Sequence, residues 1–273
     1  MPELPEVETV RAYIHQYTAG KKIMHIDVRL ARLIKNADAD TFIHALTGQT
    51  IEEVKRRGKY LLLQCSGSHS LLVHLRMTGS LIYVPHWQEN IKAAHIIFSL
   101  QEGTLVYRDI RTLGCLWLVP PQGPTGIQGY DTLGPDGNSP ACTTAYLRQA
   151  LAGTQRYIKS FLLDQTKIAG LGNIYVDEAL FLAHISPFRR CHTLTQEDIE
   201  HLHDAIVHVL HEGLKYGGTT IQNFVNGSGR EGQNQNHLLV YGREGKPCVF
   251  CGGTIQYKKL AGRGTHYCPH CQH

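Results

Sequence analysis

Four cysteines near the end of the chain, Cys248, Cys251, Cys268 and Cys271, form two C-x2-C knuckles separated by sixteen residues. Four thiolates at that spacing can present the tetrahedral donor set of zinc across a hairpin-sized insert, leaving no coordination position for water. The pattern implies one structural Zn2+ and a small module that folds around it. Two disulfides are the alternative, and they need an oxidising compartment. The N-terminus argues against that, because Glu3, Glu6 and Glu8 stand where an export signal would carry positive charge. We expect a cytoplasmic protein with no membrane contact, since runs such as Leu61 to Leu63 are far too short to cross a bilayer. The other four cysteines, Cys65, Cys115, Cys142 and Cys191, are scattered and read as small buried hydrophobes.

The 273 residues can bury a sizeable core and form two modest domains plus the zinc module. Residues 5 to 17 place Val7, Val10, Ile14 and Tyr17 at helical spacing behind a proline, with acids in the first turn. From 23 to 119, short apolar segments follow one another between turn residues. They include Tyr60 to Gln64, Leu71 to Leu75, Leu81 to Val84, His95 to Leu100 and Cys115 to Val119. An antiparallel sandwich or barrel fits that rhythm. Residues 120 to 141 are rich in proline and glycine and read as a linker. Beyond them the period turns helical over Ala145 to Leu151, Ile158 to Leu163, Ile174 to Leu182 and Gln196 to Tyr216. Thr195 with Asp198 resembles a capping box, and Gly217-Gly218 ends the last helix. We expect domains over 1–134, 135–225 and 238–273. The net charge of +4 is supplied by Arg243, Lys246, Lys258, Lys259 and Arg263 against Glu244, so the basic excess sits in the zinc module. That suits contact with an anion, although a solvated face would look the same.

Five segments carry possible chemistry. The chain opens MPELPEVET. Trimming of Met1 would leave Pro2 with a free secondary amine, whose pKa of about 7.7–8 lies well below the roughly 10.4 of lysine. Such an amine attacking a sugar carbon forms an iminium ion, with Glu3 placed to move protons. In RRGKYLLL, residues 56 to 63, Lys59 could face a cleft or simply end a strand in solvent. In HLRMTGSL, residues 74 to 81, Met77 precedes a glycine turn and could wedge into a base stack or fill a core. In GLGNIYVDEALF, residues 170 to 181, a glycine-flanked turn opens a helix at Asn173, where free amides would hold a phosphate. The zinc hairpin carries Arg263 between two glycines, an exposed fork suited to phosphate.

Together, and in this order, the segments resemble the formamidopyrimidine-DNA glycosylase family from Pro2 to the last cysteine. MPELPEVET is similar to its oxidised-purine branch rather than to the endonuclease VIII branch. The resemblance implies an α+β multidomain fold: an N-terminal helix with a two-sheet β-sandwich, a helix–two-turn–helix domain and a C-terminal zinc-finger hairpin. It implies a bifunctional enzyme on damaged double-stranded DNA, monomeric, excising oxidised purines and cleaving the abasic strand by β,δ-elimination. In it Pro2 is the Schiff-base nucleophile, Glu3 the general acid, Lys59 the proton donor for β-elimination and Arg263 that for δ-elimination. His74, Lys159 and Asn173 match phosphate contacts, while Met77 and Arg111 fill the gap left by an extruded base. Damaged bases cost less to unstack, which favours such extrusion.

Four places depart from the family pattern: Thr112-Leu113 where a cation and phenylalanine are usual, Ala93 for a histidine, Gln155 for a lysine, and a loop at 227–236 without its aromatic pair. They predict weaker, more salt-sensitive DNA binding. The alternatives are a paralogue acting on oxidised pyrimidines or abasic sites, and a non-catalytic lesion-binding protein. Retention of Pro2, Glu3 and Lys59 together argues against the latter.

Overall fold

The computed structural model describes residues 1–87, 89, 91–221 and 224–273. The chain divides into two compact units, Met1–Thr132 with Tyr216–Gln233, and Leu133–Lys215 with Asn234–His273. The first unit opens with helix α1 (Leu4–Thr18), and α2 (Ala39–Leu46) lies among its strands. One antiparallel sheet orders β1 (Ile23–Val28), β6 (Ala94–Leu100), β7 (Thr104–Asp109) and β5 (Gly79–Val84). The other orders β2 (Ile51–Arg57), β3 (Tyr60–Cys65), β4 (Ser70–His74) and β8 (Cys115–Val119). Their inner faces share one core, with Leu61, Leu63 and Val73 from one sheet, Ile96, Phe98 and Tyr107 from the other, and Val7, Val10 and Ile14 from α1. This is the expected β-sandwich with its N-terminal helix.

Two features lie outside the sequence expectation. Helix α2 falls where the sequence pattern suggests only strands; Asp38 caps it by accepting the Thr41 N–H at 2.7 Å, and Phe42 and Leu46, one turn apart, enter the core. Within the proline-glycine stretch a short helix, α3 (Gln128–Asp131), forms. The Asp131 carboxylate steadies its approach by accepting the amides of Thr125 and Gly126.

The second unit contains α4 (Thr144–Leu151), α5 (Ile158–Leu162), α6 (Asn173–Leu182) and α7 (Gln196–Lys215), then the hairpin β9 (Gln256–Leu260) and β10 (Arg263–Tyr267). Turns at 163–172 separate α5 from α6. Helix α6 is buried from Ile174 to Phe181 and packs on α5, α7 and β10. Its Asp177 and Glu178 are buried with it, and buried carboxylates demand partners. All four scattered cysteines are buried, as expected. The sequence places 216–225 with the helices, whereas compactness groups Tyr216–Gln233 with the sandwich.

Candidate active site and zinc hairpin

A buried side chain helps to hold the N-terminal stub. Glu6, in the first turn of α1 and 1% exposed, accepts the Glu3 N–H through Oε2 and the Thr219 N–H through Oε1, each at 2.7 Å. The approach of Thr219 depends on Gly218: its φ is +89°, and a Cβ there would come within 3.0 Å of Glu6 Cγ and 2.9 Å of Phe224. In the sequence Glu6 reads only as an acid complementing the helix N-terminus. Its long-range partner has no local sequence signal.

The terminal amine, borne by Met1 in the structure, has its pKa lowered chiefly by burial. Glu3 and Glu6 oppose the shift, and Lys59 and Arg111 reinforce it, so all four lie within electrostatic reach of the chain terminus. Lowering an amine's pKa raises its free-base fraction near neutrality, which a nucleophile requires. Lys59, 5% exposed, occupies the two-residue turn joining β2 to β3, after Gly58 at φ +56°. Arg56 anchors that turn: Nη1 donates to the Gly58 carbonyl at 3.1 Å, and Nε pairs with Glu8 of α1 at 2.8 Å.

His74, at the end of β4, is buried, and burial first, then Arg76 and Lys59, push its pKa down to about 3. Its Nδ1 accepts the Arg76 N–H at 3.0 Å, which leaves the proton on Nε2. The result is a neutral imidazole with one available donor. Met77 follows on the next turn, 44% exposed. Asp109, fully buried, ties this turn to the one bearing Arg111. It accepts Thr78 Oγ1–H, the Arg111 N–H at 3.2 Å and the Gly114 N–H at 2.8 Å. Exposed Met77, Ile110 and Leu113 thus project from two turns fixed by a single carboxylate. Nothing in the sequence singles out Asp109, because an aspartate ending a strand looks like any turn residue.

In the second unit, Asn173 begins α6 behind Gly172, and its Nδ2 donates to the Gly264 carbonyl at 2.9 Å. Lys159, expected at a phosphate, is instead 1% exposed. Its Nζ lies 2.6 Å from Asp177 Oδ1 and 2.7 Å from the Gly264 carbonyl. Arg263 is exposed at the hairpin turn. The four cysteine sulfurs lie within 4.8 Å of one another, with Cys248–Cys271 at 3.7 Å and Cys251–Cys268 at 3.6 Å. Tetrahedral zinc with Zn–S near 2.3 Å requires sulfurs roughly 3.8 Å apart, so the set fits the ion. Amides of Phe250 and Gly253 donate to Cys248 and Cys251, as thiolate ligands require.

A sandwich whose turns carry buried and exposed cations, a helical unit and a four-cysteine zinc hairpin define a multidomain zinc-finger protein. Matches to known families follow the same three parts: the formamidopyrimidine-DNA glycosylase N-terminal domain over residues 1–116, its H2TH domain over 133–225, and the zinc finger found in FPG and IleRS over 245–273. The chain belongs to the formamidopyrimidine-DNA glycosylase family. It is 44% identical to the Pelotomaculum thermopropionicum enzyme across all of this chain and 99% of that one, and 41% identical to the Listeria innocua enzyme across the whole of both. It is also similar to the structure of MutM in complex with DNA containing carbocyclic 8-oxo-G, with TM-score 0.92, 37% identity and 99% of each chain covered. The Lactococcus lactis enzyme bound to DNA with an oxidised pyrimidine gives 0.91 and 38% over the same shares. Among the described residues no helix is long and apolar enough to cross a membrane.

Proposed function

We propose that the protein is a monomeric, cytoplasmic base-excision-repair DNA glycosylase and AP lyase that excises oxidised purines from double-stranded DNA. The observation that carries this reading is the grouping of Glu3, Lys59 and Arg111 within electrostatic reach of the chain terminus, beside Pro2. After removal of Met1, the Pro2 nitrogen attacks C1′, the base leaves with the glycosidic electron pair, and an iminium links Pro2 to the sugar. Glu3 supplies the proton that opens the sugar ring. Loss of a C2′ proton then expels the 3′-phosphate, with Lys59 as proton donor, and a second elimination guided by Arg263 expels the 5′-phosphate.

His74 and Asn173 hold phosphates around the extruded nucleotide, and Met77 and Arg111 fill the vacated stack. A neutral Nε2–H on His74 supports the first assignment, and the exposure of Met77 supports the gap-filling role. The segments 1–134, 135–225 and 238–273 act as catalytic, DNA-binding and zinc-finger modules. Zinc has a structural role only, because four sulfurs close its shell.

Borohydride trapping on a duplex with 8-oxoguanine opposite cytosine tests the reading. A covalent adduct located by mass spectrometry on Pro2 is the expected result. An adduct formed only with an oxidised pyrimidine or a bare abasic site would reassign the substrate. Duplex binding without any adduct would leave a lesion-binding protein.

A further inference from the structure

The Lys159–Asp177 pair sits in the second unit and has no part in the chemistry described so far. Both side chains are essentially removed from solvent, at 1% and 0% exposure. Isolated buried charges are strongly disfavoured, so such a pair persists where its remaining hydrogen-bonding capacity is also used. Here it is used on one strand. Lys159 Nζ donates to the Gly264 carbonyl at 2.7 Å, and Asp177 Oδ2 accepts the His266 N–H at 2.9 Å.

Residues 264 and 266 have the same parity on β10, so that carbonyl and that amide point to the same edge. Asn173 adds a second donor to the Gly264 carbonyl, at 2.9 Å. An ion pair with one donor and one acceptor therefore completes the β10 edge as a neighbouring strand would. Cys268, one of the four zinc-site cysteines, follows the far end of β10 directly, and Arg263 begins the near end. The zinc site fixes one end of the strand, and the ion pair fixes the other, one residue from Arg263.

We infer that Lys159 and Asp177 are positioning residues for Arg263, holding the backbone from which its exposed guanidinium reaches the DNA. This rests on the assignment of Arg263 to the second elimination. Geometry explains why a buried pair is needed. Two glycines flank Arg263, and Gly262 has φ +76°, so the turn has little stiffness of its own. An error of about 1 Å in a reacting group can cost on the order of 100-fold.

The test uses full-length, zinc-loaded enzyme on an abasic-site duplex under single turnover, reading the ratio of δ- to β-elimination product. That ratio is internal to each active molecule, so partial loss of folded protein does not move it. Asp177→Asn and the double variant Lys159→Met/Asp177→Leu are compared with Arg263→Gln. The double variant removes both charges together, leaving no uncompensated ion in the interior. The expected result is a fall of about 10- to 100-fold in the ratio for both variants, matching the direction of Arg263→Gln, with one zinc per chain retained. A wild-type ratio in the double variant while Arg263→Gln is defective would overturn the inference and leave the pair a packing device. A wild-type ratio in Arg263→Gln itself would instead overturn the role given to Arg263.

Discussion

Glu6 and Glu178 are both buried helical carboxylates that gather backbone amides from distant parts of the chain, but their settings differ. Glu6 lies in the first turn of α1, where the helix dipole favours negative charge, and the amides it accepts include that of the nearby Glu3. Glu178 lies inside α6 beside buried Asp177 and accepts the amides of Leu239, Val240 and Tyr241 at 2.8 to 2.9 Å. Burial outweighs those three donors, and its pKa is raised, with Asp177 adding to the shift. The first anchor is partly supported by local structure, whereas the second exists only in the folded unit. What each holds differs as well. Glu6 sets the chain terminus, and Glu178 sets the segment leading into the zinc knuckles.

The largest effect should come from taking away the metal that shares the work of Glu178. Structural zinc in finger peptides binds with an apparent 10–16 kcal/mol, roughly, at neutral pH. Chelation should therefore abolish hydrogen-exchange protection across Cys248–Cys271 and eliminate DNA binding, while β3 and β4 stay protected. Tight duplex binding by zinc-free protein would break the link between that region's order and its metal.

Next comes Glu178→Ala, which strands three amides and should destabilise by about 3 kcal/mol in urea unfolding. The pH dependence sharpens the contrast. Because the folded pKa lies above the usual 4.5, the folded state binds the proton first. Stability from this group grows as pH falls from the raised value towards 4.5, and is lost as pH rises through that window. Glu178→Gln should flatten this component of stability measured from pH 4 to 7; an unchanged slope would place it elsewhere.

Glu6→Gln keeps one acceptor and the helix, so its cost in stability should be smaller, about 1–2 kcal/mol. It should also slow borohydride trapping by about tenfold through misplacement of the terminus. Equal trapping rates in variant and parent would show that the stub is held by something other than Glu6. The smallest effect concerns Thr112, which has φ +54° and receives a hydrogen bond from Arg32. Thr112→Arg should restore one phosphate contact and steepen the salt dependence of DNA binding by about 0.9 in slope.

Most of the scaffold is legible in the sequence because it rests on local rules. The apolar run Cys115 to Val119 is β8, and the periodic stretch from Gln196 ends within one residue of α7. The cysteine spacing specifies the zinc set. Strand β2, Ile51–Arg57, shows how this fails: only Ile51 and Val54 are buried, and its charges disguise it. Of the site, Pro2, Glu3, Lys59 and Arg263 stand out in the sequence as candidates, and the family resemblance adds their particular roles. Asp109, Glu6 and Asp177 are not reached at all, because their roles depend on partners brought close by folding. Thr219 is 213 residues from Glu6, and no periodicity reaches that far. The partners of Lys159 are hidden for the same reason: Asp177 and Gly264 lie 18 and 105 residues away in the chain.

The scattered cysteines bear on how such an enzyme survives its own working conditions. Burial lifts the thiol of Cys65 to about 12 and those of Cys142 and Cys191 to about 11. At a pH of about 7.5 less than about one in a thousand of these thiols is ionised, and peroxides react with the ionised form. Oxidants abundant enough to damage purines therefore find little purchase at these three thiols. Oxidative inactivation should begin at the zinc knuckles, where Cys251 is exposed, and be seen first as metal release.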